Sequence, residues 1–241
     1  MKGLSITAIG LRSFGECMDI FHTLKSPLEL DYLELAIGSK CELDSQYQDL
    51  PLILHDSCLY DRYLRCRLDP LQSRTWKPYI TFIANHNVLA VSLHPPLKRY
   101  CSQQELEAAM NRLQQTLQVP VYLEVMPSSE YWCSSLQSLI DFPLLLDVSH
   151  VNIWHHGDES TAQTTCLQLL NSFTVGAIHL SHNRGKADTH DLIPRNVWFS
   201  DYIDVWCDRY LVTYESLPVD YAFYERLDKC RKFELYSQVK I

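Results

Sequence analysis

The stretch LLLDVSH at positions 144–150 decides the fold prediction, because a wholly apolar run ends there on a carboxylate. Three successive leucines favour a strand that is buried on both faces, as in a parallel sheet covered by helices. Other apolar runs end in the same way, among them PLILH at 51–55 and VLAVSLH at 88–94. The repeated pattern predicts parallel strands that end in polar residues.

Short apolar runs alternate along the chain with segments of helical periodicity, which is typical of repeated strand–helix units. The predicted strands are Ser5–Gly10, Asp31–Gly38, Pro51–Asp56, Val88–His94, Val119–Val125, Pro143–Val148, Val175–Leu180 and Tyr210–Ser216. A closed (β/α)8 barrel needs eight strands and takes about 250 residues, and this chain has 241. No linker or internal repeat divides it. We therefore predict an α/β TIM barrel that forms a single domain over residues 1–241.

Three segments have the apolar spacing of amphipathic helices, namely Ser102–Gln118, Ser160–Ser172 and Pro218–Leu235. The first begins with Ser102, and Glu105 follows three residues later, which is the pattern of a capping box. The sequence therefore predicts both the start of this helix and its buried face.

Composition and charge argue against several classes of protein. The chain has 21 basic and 29 acidic residues and a net charge of −8, so a broad nucleic-acid interface is not expected. Its nine cysteines are scattered and contain no CxxC pair, which favours reduced thiols over a disulfide framework or a thiolate zinc site. The sequence predicts neither a signal peptide nor a membrane-spanning apolar run. We expect a cytoplasmic protein that contacts no membrane.

Six predicted strands carry a histidine or a carboxylate at or near their carboxyl-terminal ends. These residues are His55, His94, Glu124, Asp147, His179 and Glu215. Three side chains of the same types follow in the adjoining loops, namely His150, Asp188 and His190. The carboxyl-terminal ends of barrel strands meet at one mouth, where such barrels build their active sites. The nine side chains, called the donors below, are therefore predicted to surround one cavity.

Imidazole and carboxylate groups are ligands for zinc, iron and manganese, and nine donors are too many for one ion. Four carboxylates in one cavity would repel one another, and bound cations would remove that repulsion. Taken alone, any of these residues could instead be a hydrogen-bonded histidine or a helix cap. The set as a whole predicts a site for two or three metal ions.

Three further residues are candidates for contacts around the metals. Glu34 could orient a ligand histidine or form a salt bridge. His182, three residues after His179, could contact a ligand or the substrate. Arg12 could bind an anionic substrate near the mouth, although surface arginines commonly have no such role.

The order His, His, Glu, Asp-x-x-His, His, Asp-x-His, Glu resembles that of the endonuclease IV-type members of the xylose-isomerase-like TIM barrels. Those enzymes hold three metal ions. The resemblance implies three groups of ligands, one for each ion. They are His55, His94 and Glu124; Glu124 shared with Asp147, His179 and Glu215; and His150, Asp188 and His190.

The chain is also similar to the multinuclear non-heme iron-dependent oxidative enzymes, which modify ribosomally made peptides. The similar stretches are GLR at 10–12, DYLELAIGS at 31–39, LEVMPSSEY at 123–131, DVSHVNIWHHGD at 147–158 and IHLSHNRGKADTHDLIPRNVW at 178–198. The chain departs from that family at His150, where Asn is usual, at Leu93–His94, where Asp-His is usual, and at TYES, which replaces an IEWD-type strand.

The second resemblance implies two or three ions, with iron favoured over zinc or manganese, that oxidise a ribosomal precursor peptide with O2 at a cysteine. The partners would be that peptide and a peptide-recognition protein. The donor order leaves two alternatives open: an endonuclease IV-like phosphodiester hydrolase, and a sugar or sugar-phosphate isomerase or epimerase. No catalytic side chain is predicted beyond the metal ligands.

Overall fold

The computed structural model describes residues 1–10, 14–36, 47–55 and 68–225. Arg12, a predicted substrate contact, lies outside the described residues. The last residues of the predicted strands Asp31–Gly38 and Pro51–Asp56 also lie outside them.

Eight parallel strands form a closed barrel in the order of the sequence, and the last strand pairs with the first. The strands are β1 Lys2–Ser5, β2 Tyr32–Leu35, β3 Leu52–His55, β4 Val88–Leu93, β5 Val121–Glu124, β6 Leu144–Asp147, β7 Val175–Leu180 and β8 Leu211–Tyr214. The predicted α/β TIM barrel is therefore confirmed.

Helices lie in most of the described connections between strands. In the described part of the chain the α-helices are α1 Ile6–Ile9, α2 Phe14–Leu28, α3 Lys77–Ile83, α4 Gln103–Leu117, α5 Val148–Trp154, α6 Glu159–Ser172, α7 Ile203–Cys207 and α8 Ala222–Glu225. Short 3-10 helices lie at Ser73–Thr75, Lys98–Tyr100, Leu136–Ser138, Trp198–Tyr202 and Val219–Tyr221.

The first predicted strand, Ser5–Gly10, is wrong, because the strand ends where the prediction begins. Gly3 in β1 pairs with Tyr32 in β2, and a Cβ atom on Gly3 would lie 2.0 Å from the Tyr32 ring. Ser5 then acts as the N-cap of α1, since its side chain accepts a hydrogen bond from the Thr7 amide. The apolar residues that follow Ser5 are therefore buried as part of a helix and not as part of a strand.

Two of the three predicted helices are confirmed. Ser102 caps α4 and forms the predicted capping box with Glu105. The second, α6, begins one residue before the predicted Ser160 and ends at Ser172 as predicted. The third prediction, Pro218–Leu235, is only partly tested, because residues 226–235 lie outside the described part of the chain. A 3-10 turn and the short α8 occupy the part that is described.

Alternation along the strands explains how the barrel presents polar groups at one end. Residues two apart on a strand point to the same side. Tyr32, Ile53 and Ala90 pack together in a small apolar cluster. Two residues further along β2 and β3 come Glu34 and His55, and both are buried. The interior of the barrel is therefore apolar at one level and polar at the next, towards the strand ends.

Within the same described ranges, no helix is both long enough and apolar enough to cross a bilayer.

Candidate metal centre

The nine donors lie together at the carboxyl-terminal ends of the strands. Each has a nitrogen or oxygen atom within 4.0 Å of an atom of another donor. The buried Glu124 carboxylate at the end of β5 is the most connected of them. Its Oε2 lies 3.4 Å from His55 Nε2 and 3.1 Å from His94 Nε2, and its Oε1 lies 3.4 Å from His150 Nδ1. Glu124 is therefore placed to serve more than one ion.

The other donors continue from this centre in two directions. His179 Nδ1 lies 3.2 Å from Glu215 Oε2 at the end of β8. On the other side, Asp188 Oδ2 lies 3.2 Å from His150 Nε2 and 3.2 Å from His190 Nε2. The predicted convergence is thus observed for all nine side chains.

Several subsets of these side chains are close enough to hold one ion each, because their ligand atoms lie within 4.8 Å of one another. The subsets among the described residues are Glu34, His55 and His179; His55, His94 and Glu124; Glu124, Asp147 and His150; and Asp147, His179 and Glu215. Imidazole and carboxylate donors at this spacing could bind zinc, iron or manganese.

Two donor histidines are oriented through one ring nitrogen, which leaves the other nitrogen directed at the cluster. His55 Nδ1 lies 2.9 Å from the Ser92 hydroxyl on the neighbouring strand β4. His150 Nδ1 donates to the Val125 carbonyl at 2.7 Å, which leaves Nε2 as the ligand atom. Such contacts fix the tautomer and the plane of a metal-binding imidazole.

A third donor histidine is oriented by a carboxylate. His179 Nε2 donates to Glu34 Oε2 at 2.9 Å, and both side chains are fully buried. The Thr213 hydroxyl lies 3.5 Å from the same carboxylate oxygen and 2.9 Å from the Tyr32 hydroxyl. The sequence leaves Glu34 open between orienting a ligand and forming a salt bridge. The contact is consistent with both, because it pairs the carboxylate with the imidazole and leaves Nδ1 facing the cluster.

One carboxylate oxygen of Asp147 caps a helix, and the other makes no hydrogen bond. As the N-cap of α5, its Oδ1 accepts hydrogen bonds from the amides of Ser149 and His150, at 2.7 Å and 2.9 Å. Its Oδ2 is buried without a hydrogen-bond partner. The cap therefore fixes the carboxylate so that one oxygen faces the cluster.

The buried atoms without partners test whether a metal fits. Among the described residues, the buried side-chain atoms that lack a hydrogen bond include one atom from each of six donors. They are Glu124 Oε2, Asp147 Oδ2, His150 Nε2, His179 Nδ1, His190 Nδ1 and Glu215 Oε2. Leaving such atoms unpaired costs about 1–3 kcal/mol each, and more for charged groups. Bound cations would satisfy them together, so this donor set fits metal ions.

The two central carboxylates have opposite pKa shifts. Burial opposes ionisation of Glu124, but the His94 and His55 imidazoles lower the pKa of its carboxyl to about 2. Burial also favours the neutral acid of Asp147 and, although His150 opposes it, the pKa of this carboxyl is raised to about 6. The charge of Glu215 adds to that rise. The carboxylates thus compete for a limited supply of positive charge.

Protonated histidines supply that charge when no cation is bound. Burial alone would lower the pKa of His190, but its hydrogen bond to Asp188 and the charge of Glu215 raise it to about 9. Burial likewise opposes protonation of His150 and His179, yet nearby carboxylates raise the pKa of both well above the usual range. A cation would take the place of these protons, since only a neutral imidazole binds a metal.

Two of the orienting residues, Ser92 and Thr213, are not among the predicted site residues, although their positions along the strands point to them. Ser92 precedes His94 by two positions in an otherwise apolar strand, and Thr213 precedes Glu215 in the same way. A polar residue two positions before a donor faces the same side of the strand. His182, the remaining predicted contact, is half-buried and lines a small cavity; it belongs to none of the metal-binding subsets.

The whole chain superposes on solved structures. Endonuclease IV from Thermus thermophilus matches with a TM-score of 0.56 and 13% identity, over 98% of this chain and 98% of that one. A crystal structure described as AsfvAP:AG matches with a TM-score of 0.56 and 13% identity, over 100% and 99% of the two chains. No protein-family model matches the chain, and no curated protein does. At this identity the similarity supports the barrel fold.

Proposed function

We propose that this chain is a hydrolase that cleaves a phosphodiester with two or three metal ions held by the nine donors. The observation that carries the proposal is the set of buried donor atoms that meet at one mouth without hydrogen-bond partners. The whole-chain likeness to endonuclease IV supports this class, together with the order of donors along the sequence.

The arrangement of ligands follows the three groups that the donor order implies. His55, His94 and Glu124 lie within one cluster. Asp147, His179 and Glu215 lie in another, and the third group meets through the Asp188 carboxylate. Glu124 would join the first two groups, because its Oε2 lies 3.4 Å from His55 Nε2 and its Oε1 lies 4.0 Å from His179 Nδ1.

Metal ions held there would act as Lewis acids on a phosphoryl oxygen and make a water molecule acidic enough to attack phosphorus near neutral pH. The side chains of this protein hold and orient those ions. Ser92, Val125 and Glu34 fix three of the histidine rings. Because these contacts come from buried residues in or directly after the strands, the ligands need little rearrangement on binding.

The substrate we favour is a small phosphodiester and not DNA. A DNA-binding face needs clustered basic residues, and this chain carries a net charge of −8. The charge of a small phosphodiester can be met locally at the metals.

A second candidate is the oxidation of a cysteine-bearing precursor peptide by iron and O2, with a peptide-recognition protein as partner. One observation favours it. His55, His94 and Glu124 make up two histidines and one carboxylate, the donor set of non-heme Fe(II) oxygenases. The stretches at 147–158 and 178–198 are also similar in sequence to that family.

Metal reconstitution separates the two candidates. The chain is stripped with a chelator and reloaded anaerobically with Zn²⁺, Mn²⁺ or Fe²⁺, and bound metal is counted by elemental analysis. Hydrolysis of bis(p-nitrophenyl) phosphate and uptake of O2 with a cysteine-bearing peptide are then measured. We expect hydrolysis with zinc or manganese, and loss of that activity in His94→Gln.

His22→Gln is the matched control, because His22 is an exposed histidine on α2. It should keep its metal and its activity. O2 uptake with iron, without hydrolysis by any metal, would favour the second candidate. Less than one bound ion per chain with all three metals would contradict both.

A further inference from the structure

A groove of about 840 Å³ lies at the carboxyl-terminal end of the barrel. This volume falls in the range of roughly 300–1,000 Å³ that is usual for ligand pockets. Residues of three segments form most of its walls: 127–137 after β5, 153–156 at the end of α5, and 185–186 after β7. Thr165 on α6 completes the lining.

Two of these segments lie close to donors along the chain, although none of the nine donors lines the groove itself. Ile153 lies one turn of α5 beyond His150. Lys186 precedes Asp188 by two residues in the loop after β7. A molecule bound in the groove would therefore lie near the segments that carry His150 and Asp188.

Three of the side chains that line the groove are large and apolar. Leu136, Ile153 and Trp154 line it and are only half-buried. The Trp154 indole N–H donates to the Met126 carbonyl at 2.7 Å, which fixes the ring. A fixed aromatic ring in a groove that two aliphatic side chains also line offers contact to an apolar group of a ligand.

The remaining side chains that line the groove are basic or uncharged. The described residues that line it include Lys186, His155 and His156, and no Asp or Glu. Lys98 approaches the wall from outside, where its Nζ lies 2.9 Å from the Ser129 carbonyl and 3.2 Å from the Ser134 hydroxyl. In a chain with a net charge of −8, a groove without carboxylates favours an anionic ligand.

We propose that this groove binds the apolar substituent and part of the negative charge of an organic phosphoester substrate. Lys186 would contact the anionic group, and Trp154 would contact the substituent. The identity of the anion rests on the proposed hydrolase function, but the groove itself does not depend on bound metal. Binding can therefore be measured separately from catalysis.

The test is calorimetric titration of the full chain with 1-naphthyl phosphate in the presence of a chelator. Inorganic phosphate and 1-naphthol are titrated in the same way. We expect 1-naphthyl phosphate to bind at least ten-fold more tightly than either, because it can contact the apolar and the basic side chains of the groove together. Lys186→Ala should weaken binding about 3–10-fold, which corresponds to the loss of one exposed charge contact.

Two further variants sharpen the result. Lys77→Ala makes the same charge change at an exposed position on α3, outside the groove, and should bind like the unmodified chain. Gln137→Trp introduces a large ring at an exposed rim position and should weaken binding at least as much as Lys186→Ala. Equal effects of Lys186→Ala and Lys77→Ala would overturn the proposal, as would binding of inorganic phosphate as tight as that of 1-naphthyl phosphate.

The metal-loaded chain supplies a second measurement. With bis(p-nitrophenyl) phosphate, Lys186→Ala should raise KM several-fold and leave kcat nearly unchanged. Binding to the groove in an enzyme without hydrolytic activity would leave this inference standing and remove the proposed reaction. Hydrolysis by the metal-loaded chain, with unchanged binding in Lys186→Ala, would leave the proposed reaction standing and overturn this inference.

Discussion

The two ends of the barrel differ in how their buried charged groups are paired. At the amino-terminal end, the Lys2 side chain is 11% exposed, and its Nζ lies 3.3 Å from both Glu29 and Asp204. Those two carboxylates are 79% and 90% exposed, so they reach in from the surface while staying hydrated. At the carboxyl-terminal end, Glu124 and Asp147 are buried with oxygen atoms that have no hydrogen-bond partner.

The comparison separates stability from function within one barrel. The positive charge of Lys2 is compensated by the carboxylates of Glu29 and Asp204. At the mouth, the negative charge of the buried carboxylates is compensated by protonated histidines, and bound cations would replace those protons. Changes at the mouth should therefore alter metal binding and activity, whereas changes at the base should alter stability alone.

The largest effect is expected from Glu124→Gln. The amide has nearly the same shape but cannot supply a negative charge to two ions, so at least one bound ion per chain should be lost. Hydrolysis of bis(p-nitrophenyl) phosphate should fall about 10³-fold or more, since the metals provide several kcal/mol of transition-state stabilisation. Elemental analysis and initial rates measure both effects.

Glu130→Gln is the control for that variant, because Glu130 is an exposed carboxylate on the same loop after β5. A Glu124→Gln protein with full metal content and unchanged rates would remove Glu124 from the centre of the site.

A smaller effect is expected at Glu34, which acts through His179. Glu34→Ala should weaken metal affinity about 10–100-fold, as is typical when the partner of a ligand histidine is removed. Glu34→Gln keeps an acceptor for the imidazole and should recover part of that loss. Competition with a chromophoric chelator measures the affinities, and circular dichroism checks the fold. Equal affinities in all three proteins would show that His179 needs no such partner.

The pH dependence of stability should differ between the metal-free and the metal-loaded chain. The pKa of His190 is raised from 6.5 to about 9 in the folded state. Its protonation therefore stabilises the metal-free fold fully below about pH 6.5, and that contribution is lost as the pH rises through about 9. We expect a loss of about 1–3 kcal/mol over this interval, which is about 2–10 °C in Tm for a chain of this length.

Saturating Zn²⁺ should remove most of this fall in Tm, because a metal replaces the proton on the imidazole. Thermal unfolding is followed from pH 6 to 9 with chelator or with metal. If the metal-free chain became more stable over this range, the charge balance inferred at the mouth would be wrong.

Much of the site follows from the sequence because strand ends of a parallel barrel converge whatever their distance along the chain. Once PLILH, VLAVSLH and LLLDVSH are taken as strands, His55, His94 and Asp147 must share a mouth. The donors are also of types that rarely end an apolar run by chance.

Other features depend on contacts that no local pattern contains. The contact of Glu34 with His179 joins β2 to β7 across the closed barrel, so it follows from the interior packing and not from spacing. The Tyr32 ring on β2 occupies the space that a Cβ atom on Gly3 would need, which is another contact between strands that spacing does not reveal. The groove combines side chains from 127–137, 153–156 and 185–186, whose loop conformations the sequence pattern leaves open.

The smallest effect is expected from Lys2→Met, which tests the base of the barrel. Methionine keeps most of the buried aliphatic length and removes the two ion pairs. Because both partners are exposed, these pairs should contribute no more than about 1 kcal/mol, and the apolar replacement offsets part of that. Tm should change by at most about 4 °C, with metal content and hydrolysis unchanged. A loss of metal in Lys2→Met would mean that the two ends of the barrel are coupled, and the separation between them would fail.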